Sequence, residues 1–325
     1  MASSPITRAL KILRLVLPWV GSAVLLYWVS HRVPLAEVKK IFAELDPGRF
    51  LLIWTPAEIV IYIANVLTFK LFLDWFVKPL SFRELAAPIA ATYLLGMVNP
   101  FLGLGAVLVY LNRRRGTPAV DLGGNLLFLL AVDFFLYTVL VAVGLAYLDR
   151  HPQGQAPGAA IRLLQLGVIG GAIFYAYFYL FWIRKFDFGV LGFQRRVKAF
   201  LPFALARPRH YAIYFLVRTA YLGGALIRQY LVMRYCFHVV FPFGRYLALV
   251  PLANFLGALP VSVAGYGASQ VVWLGFFGEY VTQPTLVAMT LSWNAAYTFF
   301  ALVIGLSGLG KIYWDLRRAA KRATA

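Results

Sequence analysis

Acid is what this chain lacks most. Its 325 residues hold only 12 Asp and Glu against 31 Lys and Arg, with four His and one Cys. A lone cysteine, Cys236, excludes an internal disulfide. Four histidines and so few acids form no cluster at metal-ligand spacing, and they leave few players for general acid–base chemistry. No GxSxG, HExxH, P-loop or paired Asp-rich motif is present, so neither a metal nor another cofactor is expected, and the chain does not read as an enzyme. Charge of either sign is scarce, 13% of residues against roughly 25% in soluble domains. The basic residues sit at the ends of apolar runs, which argues against a nucleic-acid surface.

Apolar sequence is abundant. Hydrophobic residues make up 62% of the chain, and several runs reach the ~20 residues that span ~30 Å of hydrocarbon. The sequence predicts an all-α integral membrane protein with full crossings at about 12–30, 50–73, 122–148, 162–183, 210–236 and 285–309. The first run follows Arg8, Lys11 and Arg14. It is too long for the apolar core of a signal peptide and has no small-residue cleavage site after it, so it is read as a retained helix. Short amphipathic stretches at 35–46 and 188–204 follow the first and fourth crossings, as interfacial helices do.

Two further apolar segments, 84–111 and 245–279, are broken by Gly and Pro. One carries Asn99, Pro100, Gly103 and Gly105. The other carries Pro260, Gly265 and Gly267. Broken backbone in hydrocarbon leaves polar groups that cost several kcal/mol each unless protein or a wet cavity covers them. Paired interruptions in the two halves of a membrane protein point to a transport site.

The basic residues decide whether these segments cross or turn back. If each is a re-entrant hairpin and the N-terminus is cytoplasmic, Arg113, Arg114, Arg115, the basic stretch 184–209 and the C-terminal basic residues all lie inside, which is the usual bias. If the first segment crossed, the stretch 184–209 would face out. The expectation is therefore six full transmembrane helices plus two opposed re-entrant hairpins in one transmembrane domain, 1–325. Repeat 1 spans about 8–149 and repeat 2 about 160–315, inverted relative to each other and joined by the polar linker 150–160. Both termini are cytoplasmic.

Four charges fall inside crossings, at roughly 2.5–3.5 kcal/mol each: Glu58, Asp133, Arg218 and Arg228. Glu58 and Arg218 occupy equivalent places in the repeats, so they either form a buried ion pair or find separate local partners. Asp133 is either a proton-coupling carboxylate or a neutral buried acid. Arg113–Arg115 are either a topology signal or a phosphate-collecting funnel, with Arg228 as a deeper phosphate contact. Asn99, Asn254, Ser262, Ser269 and Gln270 at the hairpin tips either line a cavity or cap broken backbone. Trp54, Trp75, Trp182 and Trp314 read as an interfacial belt.

The segment Asn254–Gln270, with Leu259-Pro260-Val261-Ser262 and Gly265-Tyr266-Gly267, resembles the LPxSxGGxGxxE segment of the lysylphosphatidylglycerol-synthase transmembrane-region family. Asn99-Pro100 with Gly103 and Gly105 is similar to that family's first hairpin, and Asp133 to its acidic residue in the third crossing. Ala106 and Gln270 stand where the family has glutamates, and the family's Arg-Trp after the second crossing is absent. The resemblance implies a flippase-like protein of a bacterial inner membrane that moves an anionic phospho- or polyprenyl-phosphate lipid between leaflets. On this reading Asn99, Arg113, Arg114, Arg115, Arg218, Arg228, Asn254, Ser262 and Gln270 meet the substrate. The partners are the bilayer, an anionic lipid, and either a second copy of the chain or a lipid-modifying enzyme. A non-catalytic subunit or an enzyme of lipid or glycolipid modification is the alternative, and a small-solute or ion channel a third.

Overall fold

A computed structural model describes residues 5–98, 100–116, 118–150, 158–186, 189–257 and 262–323. The regular structure among the described residues is all helical, without strands. The order is α1 (Pro5–Arg32), α2 (Leu35–Glu44), α3 (Pro47–Phe76), α4 (Phe82–Val98), α5 (Pro100–Arg115), α6 (Ala119–Arg150), α7 (Gly158–Phe178), α8 (Leu201–Leu205), α9 (Pro208–Cys236), α10 (Phe243–Gly257), α11 (Ala268–Phe277) and α12 (Gln283–Ala323). A π turn at Tyr179–Ile183 prolongs α7, and 3₁₀ turns at Gly189–Arg196 and Lys198–Phe200 precede α8.

Four stretches are long and apolar enough to cross a bilayer: Pro47–Phe76, Ala119–Tyr147, Leu164–Ile183 and Gln283–Trp314. Their outward faces are oily. Leu52, Leu130, Ile173 and Phe299 are largely exposed, which in water would be a liability and in lipid is the expected surface. The chain is an integral membrane protein. α9 has the length of a crossing but carries Arg218 and Arg228 within it, both buried.

α12 lies along α4, and α10 lies along α6. Both contacts use small residues, which let helix backbones approach closely where lipid gives no hydrophobic drive between helices. A Cβ on Gly144 of α6 would fall 2.4 Å from the Ala248 backbone of α10, and one on Gly305 of α12 would fall 2.6 Å from Leu94 of α4. Between these pairs α3 and α9 run antiparallel along their full length. Arg49 donates to the Tyr235 carbonyl at one end, and Trp75 stacks on His210 at the other. Two apolar cores result, one around Phe72, Phe128 and Phe181, the other around Val250, Trp273 and Met289, with Tyr297 packed against both.

The first break is narrower than the glycines indicated. Gly103 and Gly105 lie inside α5, so they do not interrupt it. α4 is described to Val98 and α5 from Pro100, a residue whose missing N–H costs nothing in a first helical turn. Gly103 serves close approach instead: a Cβ there would sit 2.7 Å from the Thr92 carbonyl of α4. The second break is a true loop. Ala264, Gly265 and Gly267 have positive φ, and Gly267 ends it as the N-cap of α11. Asn99 and Pro260 lie outside the described residues, as do the side chains of Pro100, Arg114 and Arg115.

The two breaks touch. The Ala264 N–H donates to the Met97 carbonyl at 2.8 Å, and the Val263 N–H donates to Ser22 Oγ of α1 at 2.8 Å. The loop's backbone donors and the end of α4 thus satisfy groups that lipid could not.

Candidate functional site, a polar chamber where the two breaks meet

Glu58 sits in the interior of α3 and is 2% exposed. Its partner is Arg228 of α9, not Arg218: Arg228 Nη1 pairs with Glu58 Oε2. The sequence-level pairing fails because α3 and α9 are antiparallel. Arg228 faces Glu58, while Arg218 stands about 15 Å further along α9 at 1.5 Å per residue. Arg218 instead grips Asp133 of α6 with two bonds, Nε to Oδ1 at 2.6 Å and Nη2 to Oδ2 at 2.5 Å. Asp133 is therefore an ion-paired carboxylate, neither isolated nor bonded to backbone alone. Each guanidinium also lies on an aromatic face, Arg218 over Tyr221 at 4.0 Å and Arg228 over Trp54 at 3.8 Å. Bidentate and stacked geometry of this kind is what arginine offers and lysine does not.

Both pairs open onto cavities. One, of about 430 Å³, is lined by Glu58, Asp133, Arg218, Arg228 and the tyrosines Tyr93, Tyr137, Tyr221 and Tyr297. The other, of about 330 Å³, is lined by Trp54, Arg228, Gln229, Asn254, Ser262, Trp293 and Asn294 among others. Gly96, Arg228 and Tyr297 line both, so the two adjoin as lobes on either side of these residues. The second lobe is walled by both breaks, with Met97 on one side and Ser262, Ala264 and Gly265 on the other.

The structure brings together six of the residues singled out in the sequence as substrate contacts or buried charges, namely Glu58, Asp133, Arg218, Arg228, Asn254 and Ser262. The Asn254 amide is already engaged: it exchanges hydrogen bonds with Gln229 at 3.1 and 3.3 Å. Gln270 does not line the chamber. Buried fully, its Oε1 accepts from the Gly267 N–H at 2.6 Å and caps α11. Ser269 likewise holds the loop, donating to the Gly265 carbonyl and accepting from Asn294. Arg113 is exposed at the end of α5 and lines neither lobe.

Sequence reasoning missed Trp54, Trp293 and Tyr297. Trp54 near the start of a run looked like an interfacial anchor, yet it is 2% exposed beneath Arg228. Trp182 is buried too, and only Trp314 of the four is exposed. No local pattern marks them, because the contact of Trp54 with Arg228 depends on how α9 packs on α3. Among the described residues no three His, Cys, Asp or Glu side chains gather as metal ligands do.

An apolar groove of about 390 Å³ runs beside the chamber between α6, α7 and α10, lined by Val141, Leu164, Val168, Leu252 and Leu256. Tyr137 lines both the groove and the charged lobe. A polar chamber and an apolar slot share that one side chain as a wall.

The lysylphosphatidylglycerol synthase TM region matches residues 12–305. The chain belongs to this family. The match covers every helix that walls the chamber. No curated protein matches the chain.

Proposed function

We propose that this family member is a lipid transporter of flippase type, which moves an anionic phospholipid or polyprenyl-phosphate lipid between leaflets. The observation that carries the reading is the shared wall at Tyr137: a buried chamber with two arginines on one side, an apolar groove suited to acyl chains on the other. A headgroup crosses the membrane through the chamber while its chains stay in the groove. The chain acts without chemistry of its own, as a transporter and not an enzyme.

Six crossings, with α4–α5 and α10–α11 as re-entrant hairpins from opposite faces, complete this reading. Its support is the antiparallel course of α3 and α9, the counterpart helices of the two halves: a repeat related by an axis along the membrane normal would make them parallel. The matching contacts α4 with α12 and α6 with α10 agree. Alternating access then amounts to opening one hairpin against its counterpart. Termini on the cytoplasmic side of a bacterial inner membrane follow from the charge bias.

Vesicles reconstituted with the protein and fluorescent phosphatidylglycerol are expected to lose about half their dye to an outside quencher within the leak-free window, then most of the remainder as lipid exchanges leaflets. Rates equal to those of empty vesicles for every lipid tried sink the transport reading. Cysteines introduced at positions 113 and 279 are expected to react from opposite sides. Labelling of both from one side sinks the opposed hairpins.

A further inference from the structure

A second apolar groove, of about 300 Å³, lies between α6, the end of α7 and the start of α9. Phe135 of α6, Tyr175, Phe178 and Ile183 of α7 and its π turn, and Tyr211 and Phe215 of α9 line it. Among the described residues it shares no wall with either lobe or with the groove beside α10. Phe135, Ile183 and Ala212 on its rim are exposed, so it opens outward. From Ile183 to Tyr175 its wall runs roughly 12 Å at 1.5 Å per helical residue.

The walls are held and apolar. Tyr175 donates to the Ala131 carbonyl at 2.5 Å, and Tyr211 donates to the Phe203 carbonyl at 3.3 Å. Both phenols give their protons to backbone, which leaves the rings to the groove. Edge-on contacts fix those rings: Phe135 with Tyr175 at 4.9 Å and with Phe215 at 5.6 Å, and Phe178 with Tyr211 at 5.8 Å. The π turn at Tyr179–Ile183 widens the end of α7, a device frequent at functional sites. A peptide or a hydrated ion would leave its polar groups unpaired in such a space. A hydrocarbon chain would not.

The mouth has the opposite character. Arg184 follows Ile183 and donates from Nε to Tyr179 Oη at 2.7 Å. Arg207 stands one turn before Tyr211, and Arg209 one turn before Ala212. All three arginines are exposed, and no carboxylate among the described residues pairs with them. Arg195 pins the chain at this mouth, donating to the carbonyls of Phe181 at 2.6 Å and Phe186 at 2.9 Å.

We infer that this groove holds one acyl chain of an anionic bilayer lipid, whose headgroup rests among Arg184, Arg207 and Arg209 at the membrane surface. The lipid is a resident ligand and not cargo, because the groove shares no wall with the chamber. The site stands independently of the transport reading. It bears on the ion pair nearby: Val132 of the groove is next to Asp133, and Phe215 lies one turn before Arg218. An occupied groove thus clamps α6, α7 and α9 where Asp133 and Arg218 already tie two of them, and anionic lipid stabilises the fold.

The test uses the full chain in a neutral detergent and follows thermal unfolding as phosphatidylglycerol, or phosphatidylcholine with the same chains, is added. A ligand that binds only the folded chain raises the midpoint by mass action. Each basic residue near an anionic surface is worth roughly fivefold, so phosphatidylglycerol is expected to reach a given rise at about a tenth of the phosphatidylcholine concentration or less. Phosphatidylglycerol with a photoreactive group on one chain, in phosphatidylcholine vesicles, is expected to label 131–135, 175–183 and 211–215. Ala212→Phe fills the groove from α9 and is expected to abolish both the phosphatidylglycerol-specific rise and that labelling. Arg207→Gln with Arg209→Gln alters only exposed side chains and is expected to bring the two lipids within about threefold of each other.

Equal potency of the two lipids on the unaltered protein, or groove labelling undiminished in Ala212→Phe, overturns the resident-lipid site, whatever the vesicles scramble. Should Ala212→Phe not fold, the double Gln variant decides: a preference for phosphatidylglycerol that stays about tenfold overturns the headgroup's place among these arginines.

Discussion

The two buried arginines of α9 are alike in kind and unlike in what they leave over. Arg218 commits Nε and Nη2 to the two oxygens of Asp133 and lies on Tyr221. Arg228 gives Nη1 to Glu58, lies on Trp54 and leaves its Nε without a hydrogen-bond partner. The first pair ties α9 to α6. The second ties α9 to α3, whose length it already packs along, so it has less to hold and more to offer a ligand. Burial of a charge pair is weak evidence of stabilisation, because desolvation offsets the attraction. Its removal by halves is costly, however, and that asymmetry makes the comparison testable.

The largest effect is expected for Asp133→Ala. It strands Arg218, 3% exposed as a side chain, with no counter-charge, and such losses run to about 3–5 kcal/mol. Thermal unfolding in detergent should register it as a large drop in midpoint. A drop no greater than that of Trp54→Phe would mean that Arg218 does not depend on Asp133. Next, the double change Arg218→Met with Asp133→Leu removes both charges. Most of the lost stability should return, since apolar replacements of buried pairs are often neutral. If phosphatidylglycerol scrambling also returns, the pair is a tie between helices. If stability returns without transport, Arg218 belongs to the substrate path and the contrast drawn here is wrong.

Glu58→Gln is expected to be milder for stability, because the amide oxygen still accepts from Arg228. Freed of its competing carboxylate, Arg228 should bind phosphatidylglycerol about tenfold tighter, near 1.4 kcal/mol. Weaker binding in calorimetry would show that Glu58 orients the arginine and does not compete for it. The smallest effect is expected for Gln270→Glu, which restores the acid found elsewhere in the family. Its oxygen should still cap the Gly267 N–H, and with no place on the chamber wall it should leave transport within about twofold.

Most of the helix plan was legible in the sequence because length, apolarity and Gly/Pro punctuation determine it in a membrane. α1, α3, α6, α7, α9 and α12 fall on the expected runs, and the second break falls where Gly265 and Gly267 need positive φ. The first break, expected over Asn99, Pro100, Gly103 and Gly105, was drawn too wide at its glycines, because a glycine in a membrane helix can mark close packing as readily as a turn, and Gly103 marks packing. The intramembrane charges announced themselves by their cost. Their pairing did not, since it depends on the antiparallel register of α3 and α9, which no local pattern encodes. Trp54 was misjudged for the same reason: its position in the run fits an interfacial belt, and only the packing of α9 over it makes it part of a site. Gln270 was open between lining a cavity and capping broken backbone, and the structure gives the cap, with its Oε1 accepting from the Gly267 N–H.

The transport reading rests on the meeting of the two breaks, where the Ala264 N–H reaches the Met97 carbonyl. If that contact is a gate, locking it must stop lipid movement. With Cys236 replaced by Ala, the double variant Met97→Cys, Ala264→Cys can be oxidised in vesicles and scrambling of fluorescent phosphatidylglycerol followed before and after reduction. The account predicts scrambling at the background rate while the disulfide is closed and recovery on reduction. Full scrambling with the disulfide demonstrably closed would contradict it.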